Sequence, residues 1–508
     1  MKNKYLMLAA MAAAVGLSSC DMDKTPYNSL PDTEALQTVT DFENIRVGIY
    51  SALRSSVVGD FYVAPEIQAG DFDAVTGFSN TYGDLYYWNF TSQTGEFETI
   101  YGNYQAIIAR ANYIIDGYNK CDFSNASEFT AKDMTEKVNP AKGDAFFARA
   151  YSIFMLSQYF CQAYDESTAG NADTGVSYRL DYSPSSNSST YPGRNTLAET
   201  YARVSDDLDS AAVYVAAQGD ACYGYISQDA ITALRARVAL NKKEYKKAAD
   251  YAASLIQSGR YALAADRSDL TDIFQNDGGM ETILQLTSAS ASELPPSTGS
   301  HYMPTTTGQV PDYVPTQELI DLYSANDYRL PVYFAQTSVS TNDGASAEVS
   351  ILNKFPEQGA LYNKFGASAR WMAEPKVFRI AEMYLIAAEG YAEAGDIETA
   401  AQYLNEMQEN RIRRFSARTY ADRTAIMNEI KNERRRELVG EGFRLFDIKR
   451  WHEAVKRGTP QNRSICLLPG ATTTDMTQPA DSYRLTWPIP RHETDVNQQI
   501  HQNPGYGK

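Results

Sequence analysis

Two aspartates separated by one residue, Asp71 and Asp73, form a spacing that could do chemistry. Such a pair could hold a metal ion, or it could supply the two carboxyl groups that a glycosidase needs. In a chain with 63 acidic residues, however, the same spacing arises easily by chance. We therefore expect neither catalysis nor a cofactor, and we leave open whether a calcium ion orders a loop.

Other signs of catalysis are missing from the sequence. It contains no HExxH, GxSxG, P-loop or GxGxxG motif. No CxxC motif occurs among the widely spaced cysteines, although a Cys121–Cys161 or Cys222–Cys466 disulfide is left open. The histidines are scattered along the chain at His301, His452, His492 and His501. These observations give little support to an enzyme.

Aromatic residues outside the helical patterns are better candidates for a binding function. The chain has 36 tyrosines and 20 phenylalanines, and a tyrosine offers both a flat ring and a hydroxyl at a wet surface. Tyr86, Tyr87 and Trp88 crowd a stretch flanked by glycine and asparagine, Tyr302 lies in a loop rich in proline and threonine, and Trp371 precedes a helical repeat. We predict that these five rings contact a ligand, Trp88 and Trp371 foremost.

The N-terminus carries the pattern of an exported lipoprotein. Lys2 and Lys4 precede an apolar stretch at 6–17, which is too short to span a bilayer. The order Leu17-Ser18-Ser19-Cys20 then resembles a bacterial lipobox. We predict that residues 1–19 are a signal peptide and that lipid on Cys20 anchors the protein to a membrane. The net charge of −17 argues against nucleic acid as a partner.

The elements that would position these residues are mostly helical. The stretches 233–256 and 385–408 repeat one pattern, a helix, a short polar turn and a second helix, with small alanines on the facing sides. Segment 144–160 is typical of a first helix of the same kind, with 197–215 as its partner, and 101–118 is amphipathic. We predict tetratricopeptide-like helix pairs that stack side by side.

No linker divides the chain after Cys20, so we expect residues 20–508 to form a single domain. The helical scaffold is predicted at about 100–165, 195–260 and 375–455, with loop-rich, aromatic-rich regions packed on it. Within the last scaffold segment, Glu429, Glu433, Glu437 and Glu441 recur every four residues among Arg434, Arg436 and Arg444. We interpret this alternation as a buried ion-pair network and not as a basic binding patch.

Three stretches near the C-terminus resemble one protein family. They are VFRIAEMYLIAAEGYAEAGDIETAAQYLN at 377–405, ERRRELVGEGFRLFDIKRW at 433–451 and QNPGY at 502–506. Together with the lipobox and the order of helix pairs, they resemble the SusD/RagB family of Bacteroidetes outer-membrane lipoproteins. The resemblance implies a mostly α SusD-like fold, in which tetratricopeptide-like pairs support a loop-rich half.

The resemblance also implies a function. Members sit at the cell surface as a lid on a SusC-like TonB-dependent transporter, and they deliver captured oligosaccharides, or in some cases peptides, to it. It places the ligand surface in regions about 60–100 and 285–372, where Asp71 would border the sugar. We expect a glycan-binding lipoprotein, with a peptide-binding protein and a lipid-anchored glycosidase as alternatives.

Overall fold

In this computed structural model the described residues are 36–215, 224–303, 310–468 and 477–507. The predicted signal peptide and Cys20 lie outside them. The described α-helices of four or more residues are α1 Val39–Ser55, α2 Asp60–Gln68, α3 Gly83–Tyr86, α4 Gly95–Lys120, α5 Asn139–Phe160, α6 Leu197–Tyr214, α7 Gln228–Asn241, α8 Tyr245–Gln257, α9 Arg267–Gln275, α10 Gln317–Asp321, α11 Leu330–Tyr333, α12 Ala360–Phe365, α13 Ile380–Glu393, α14 Ile397–Glu409, α15 Arg423–Glu437, α16 Arg444–Trp451 and α17 Arg491–Val496.

Local sequence fixes where several of these helices begin. The Thr38 side chain accepts a hydrogen bond from the backbone of Asp41, and the Asp41 carboxylate accepts one from the backbone of Thr38. Thr196 and Glu199 form the same reciprocal capping box at the start of α6. Each box satisfies backbone N–H groups that have no partner within the helix.

The predicted helix pairs are confirmed. α7 and α8, and likewise α13 and α14, are neighbouring helices joined by a short turn, and α5 packs along α6 across the intervening loop. α8 also packs closely on α13, where a Cβ added to Gly390 would lie 2.5 Å from the Tyr245 carbonyl oxygen and 2.9 Å from the Ala249 Cβ. Small residues therefore let the repeats approach, as the alanine pattern predicts.

The strands are few, and they form two-stranded antiparallel sheets. β1 pairs with β3 with Asp73 opposite Val314, β2 with β6, and β7 with β8. β4 and β5 form a hairpin in register from Phe334–Leu352 to Ser340–Ser346. Their bounds are β1 Phe72–Ala74, β2 Thr282–Gln285, β3 Tyr313–Pro315, β4 Phe334–Ser340, β5 Ser346–Leu352, β6 Lys376–Arg379, β7 Val455–Lys456 and β8 Thr477–Gln478. The fold is thus mostly α, with a loop-rich half on a helical scaffold.

A buried network of charges joins that half to α15. Glu437 is fully buried and accepts hydrogen bonds from Arg379 Nη1 at 2.8 Å, Arg411 Nε at 3.0 Å and Arg329 Nη1 at 3.1 Å. Burial raises the pKa of Glu437, but the three guanidinium groups outweigh it and hold that pKa well below its usual range. The network also contains Glu281, Asp327, Lys354, Glu433 and Glu441.

The predicted network is confirmed for the glutamates, but most of its cations come from elsewhere in the chain. Arg436 pairs with Glu433 at 2.6 Å as expected. Arg434, in contrast, pairs with Asp447 at 2.8 Å. Separately, Cys121 and Cys161 are free thiols, so that disulfide is not formed, and Cys222 lies outside the described residues.

Candidate ligand-binding site

Asp71, predicted to border the ligand, is instead a buried structural anchor. It follows α2, and it is 4% exposed. Arg435 Nε lies 2.9 Å from both of its carboxylate oxygens, and Arg444 Nε lies 3.5 Å away. Burial raises the pKa of Asp71, but the two guanidinium groups lower it by more, so the carboxyl stays ionised. Its acceptor oxygens already have partners, which contradicts the predicted role in ligand binding.

Three of the predicted aromatic contacts also lie in the core. Trp88, Tyr86 and Tyr302 are each 0% exposed. The Tyr86 ring lies 3.9 Å from the Arg457 guanidinium carbon, and the Tyr302 ring centroid lies 4.9 Å from that of Phe72. A ring without exposed surface cannot stack on a sugar, so the prediction is wrong for these three residues. Their segments are rich in aromatics because they build the interior behind the surface.

Two rings remain accessible in front of this interior. Phe78 and Tyr87 are half-buried, and their ring centroids lie 6.5 Å apart in a T-shaped arrangement. Exposed polar residues lie nearby. Ser79 and Asn80 follow Phe78 in the same loop, and Asn342, in the turn of the β4–β5 hairpin, lies against Gly77. We call these five residues the aromatic face. Accessible rings beside amide and hydroxyl groups suit a ligand with both C–H surfaces and hydroxyls.

Hydrogen bonds to one segment hold the loop of the aromatic face in place. Asp312 accepts from the backbone N–H of Ser79 at 2.6 Å and pairs with His301 Nδ1 at 2.7 Å. Tyr313 donates its hydroxyl to the carbonyl oxygen of Thr81 at 2.5 Å. Burial raises the pKa of Asp312, but the hydrogen bonds from His301 and Ser79 lower it by more, so the pKa lies below its usual value and the carboxylate is a stable acceptor.

The loop also contains backbone conformations that side chains disfavour. Asn80, Tyr82 and Trp88 have φ values of 65°, 57° and 56°. Each such residue costs on the order of 1–3 kcal/mol, and it persists only where the surroundings enforce it. Here the Tyr82 hydroxyl donates to Asp60 Oδ1 at 2.5 Å, and the Tyr82 ring packs edge-on against His301 at 5.1 Å. The segment is therefore held rigidly.

Trp371 is the remaining predicted contact, and it is half-buried. Its carbonyl oxygen accepts from the backbone N–H groups of Thr298 and Gly299, each at 3.2 Å. Gly299 opens the turn that carries His301, so Trp371 is tied to the turn that supports the aromatic face. Its indole Nε1 is a buried donor without a partner among the described residues. Trp371 and Tyr87 thus remain candidate ligand contacts.

A buried carboxyl group lies beneath the site. Asp73 is 0% exposed, and its oxygens have no hydrogen-bond partner among the described residues. Burial raises the pKa of Asp73 to about 7, against the opposing effect of Arg457. Asp71 pairs with Arg435, whereas Asp73 has no such partner in the described part of the chain, so the two aspartates do not act as a pair.

The sequence reasoning missed Phe78 and the pairing of His301 with Asp312. Phe78 stands between Gly77 and Ser79-Asn80, a turn composition that could have indicated an exposed ring. The partnership of His301 and Asp312 is a tertiary contact, for which the sequence carries no signal.

Two observations bear on metals and membranes. In residues 36–215, 224–303, 310–468 and 477–507, no group of three or more histidine, cysteine, aspartate or glutamate side chains could hold a metal ion. None of the helices described here combines the length and apolar composition needed to cross a bilayer.

Two family models match the chain. Residues 330–506 match the model described as "SusD family", and residues 22–240 match the one described as "Starch-binding associating with outer membrane". A curated relative, "SusD-like protein P25" of Formosa agariphila, is 38% identical over 80 residues, and the match spans 15% of each chain.

Solved structures of similar fold agree with these family matches. A SusD superfamily protein from Bacteroides thetaiotaomicron is 24% identical, with a TM-score of 0.76 over 92% of this chain and 100% of the other. A putative sugar binding protein from Bacteroides vulgatus is 25% identical, with a TM-score of 0.75 over 93% and 100%. The helix pairs and the loop-rich half packed on them define a SusD-like fold, which this chain shares with both structures. The chain belongs to the SusD/RagB family.

Proposed function

We propose that this protein is a cell-surface lipoprotein that captures an oligosaccharide and delivers it to a SusC-like TonB-dependent transporter in the outer membrane. The observation that carries the proposal is the aromatic face, where accessible rings and amide and hydroxyl groups lie on a rigid loop. The matching family model that is described as starch-binding and the similar Bacteroides vulgatus structure, a putative sugar binding protein, support the ligand class. The order Leu17-Ser18-Ser19-Cys20 supports the anchor.

The two rings of the aromatic face are half-buried, so each offers only part of its surface to a ligand. Because such a surface buries little of the ligand, binding of a short oligosaccharide should be weak. Long chains with repeated units gain from several contacts and from a high local concentration above a transporter.

Electrophoresis through gels that contain amylopectin, xylan or another polysaccharide tests the ligand class. We expect one of these glycans to retard the protein, and we expect Trp371→Ala, Tyr87→Ala and Phe78→Ala to reduce the retardation. Tyr191→Ala, which removes a half-buried tyrosine from the 171–194 loop, is the matched control and should change nothing. Retention unaffected by all three site variants would contradict the proposal.

The same variants separate the alternatives. A peptide ligand would give binding to peptide libraries that depends on Trp371, with no glycan binding. A glycosidase would release reducing ends from oligosaccharides during incubation with purified protein. Replacing Cys20 with serine should release the protein from membranes if lipid on that thiol is the anchor.

A further inference from the structure

A cleft lies where the C-terminal ends of three helices meet. The residues that line it are far in sequence from those of the aromatic face. α5, α7 and α16 end at Phe160, Asn241 and Trp451, and residues just beyond each end line the cleft. Its volume is about 570 Å³, which is within the range of small-molecule sites. We call it the helix-end cleft, lined among others by Gln162, Asp165, Lys243, Lys449, His452 and Tyr483.

Lys449 places a buried ammonium group in this cleft. The residue is 9% exposed, and its Nζ donates to the carbonyl oxygens of Gln158 and Cys161 at the end of α5. An ammonium has three N–H donors, so one stays available. No carboxylate of the described residues lies within 4 Å of it. Buried charges are normally paired, and burial here lowers the pKa of Lys449 to about 8.

The other charges of the cleft have their own partners or lie at its rim. Arg450 pairs with Glu389 and with Asp447, at 2.8 Å to the latter. Lys243 and Asp165 are exposed, and they approach each other only to 3.9 Å. Asp481 is exposed at the rim. Among the charged groups that line the cleft, Lys449 is therefore the buried one that pairs with no carboxylate of the described residues.

Two rim residues adopt backbone conformations that usually require glycine. Lys243 and His452 directly follow or cap their helices with φ values of 63° and 55°. Glycine or asparagine commonly occupies such left-handed positions. A left-handed backbone conformation costs free energy at a lysine or a histidine, and both of these side chains line the cleft.

An exposed aromatic ring forms another wall. Tyr483 is 39% exposed. Gly505 packs flat against the ring, since a Cβ added there would lie 2.4 Å from ring carbons, and Tyr506 packs edge-on at a centroid distance of 4.9 Å. The ring is thus fixed in position with part of its surface open, as stacking on a sugar requires.

We propose that the helix-end cleft is a second saccharide site, specific for a sugar that carries a carboxylate. The sugar's carboxylate would accept a hydrogen bond from Lys449 and face Lys243 and His452 at the rim. Its C–H surface would lie on Tyr483, and its hydroxyls would meet Gln162 and Asp481. The proposal rests on the proposed function for its ligand class, but the residues of this site and its preference for acidic sugars are not those of the aromatic face.

Calorimetric titration of the purified protein with trigalacturonate and with a hyaluronan tetrasaccharide tests the inference. We expect one of these uronates to bind at least tenfold more tightly than maltotriose, and more weakly as salt rises. Lys449→Gln and Tyr483→Ala should each weaken binding about tenfold. Lys246→Gln, a lysine 62% exposed on α8, is the control. Because Lys449 also holds the end of α5, Lys243→Gln and Tyr483→Ala carry the test if Lys449→Gln fails to fold.

Several outcomes would overturn the inference. They are no binding of either uronate, equal binding of maltotriose, preferential binding of tetraglutamate, or uronate affinity that the cleft variants leave unchanged. Loss of uronate binding in Tyr87→Ala or Phe78→Ala but not in Tyr483→Ala would assign the sugar to the aromatic face. That result would refute the second site and leave the proposed function standing. Conversely, uronate binding at the cleft with no glycan retention through Trp371, Tyr87 or Phe78 would refute only the roles of Trp371 and of the aromatic face.

Discussion

Arg435 and Asp71 are separated by 364 positions in the sequence, yet Arg435 Nε lies 2.9 Å from each carboxylate oxygen of Asp71. The side chains are 19% and 5% exposed. The pair fastens the segment that follows α2 to α15, and β1 begins at the next residue after Asp71. An aspartate that the family resemblance places beside the ligand is therefore part of the support of the site.

Replacing Arg435 with alanine should destabilise the protein strongly. The change leaves Asp71 as a buried charge with the more distant Arg444 and Arg457, and breaking such a pair costs about 3–5 kcal/mol. Because the pKa of Asp71 is lowered in the folded state, the pair's contribution is present above the unfolded pKa and is lost as pH falls through the folded one. Urea unfolding should show a larger deficit at pH 7 than at pH 3.

Arg423→Ala is the matched control for this prediction. Arg423 pairs with Glu393 on the surface, and its side chain is 61% exposed. Exposed pairs contribute about 0–1 kcal/mol, so this variant should unfold almost like the parent. Equal effects of the two substitutions would refute the structural role of Arg435.

Glu437→Gln should cost several kcal/mol, since the change removes the shared counter-charge of Arg329, Arg379 and Arg411. The pKa of Glu437 is well below its ordinary value, so in the parent this contribution persists through mildly acidic pH and is lost only far below it. Thermal unfolding at pH 5 and pH 7 should show a similar deficit at both. A variant with the parent's midpoint would mean that the three arginines do not depend on this carboxylate.

Asp73→Asn should stabilise the protein at alkaline pH. With the folded-state pKa raised to about 7, the folded state holds one proton more than the unfolded state between about pH 4 and 7, so stability falls as pH rises across that window. Three pH units correspond to at most about 4 kcal/mol, and we expect about 2–4 kcal/mol at pH 8. Denaturant midpoints from pH 4 to 8 measure it.

The exposed Asp84→Asn variant is the control, and it should keep the parent's pH profile. Some slope should remain in Asp73→Asn, because burial also raises the pKa of Glu66, to about 8. An unchanged slope in Asp73→Asn would show that Asp73 is ionised in the folded protein throughout this range.

Gly299→Ala should impair glycan retention without touching a ligand-facing side chain. The added Cβ would lie 2.1 Å from the Phe355 carbonyl oxygen and 3.1 Å from the Trp371 Cβ, so the turn or the tryptophan must move. Overpacking of this kind costs about 1–3 kcal/mol. Gly102→Ala, in open space on α4, should retain full binding. If Gly299→Ala binds glycan as the parent does, the turn does not position Trp371.

The scaffold was predictable because its signals are local. The alanines at helical spacing and the glutamates that recur every four residues each lie within one segment of the chain. The structure has helices in these segments. The site was harder, because a run such as Tyr86-Tyr87-Trp88 says only that rings are abundant. Which of them faces solvent depends on Arg457 and on β3, hundreds of residues away. Arg435 likewise belongs to a run of three arginines in the sequence, and its pairing with Asp71 is visible only in the folded structure.

The network around Glu437 has a consequence for how the chain can be divided. The network includes Glu281, Arg329 and Lys354, together with charged residues of β6 and α15. Each of these charges has its ion-pair partners only when the others are in place. Dividing the chain between residues 281 and 441 would leave buried charged groups without their partners on both fragments. Fragments that end in this span should therefore fail as separate modules, and recombination between relatives should tolerate exchanges only where the whole set of partners travels together.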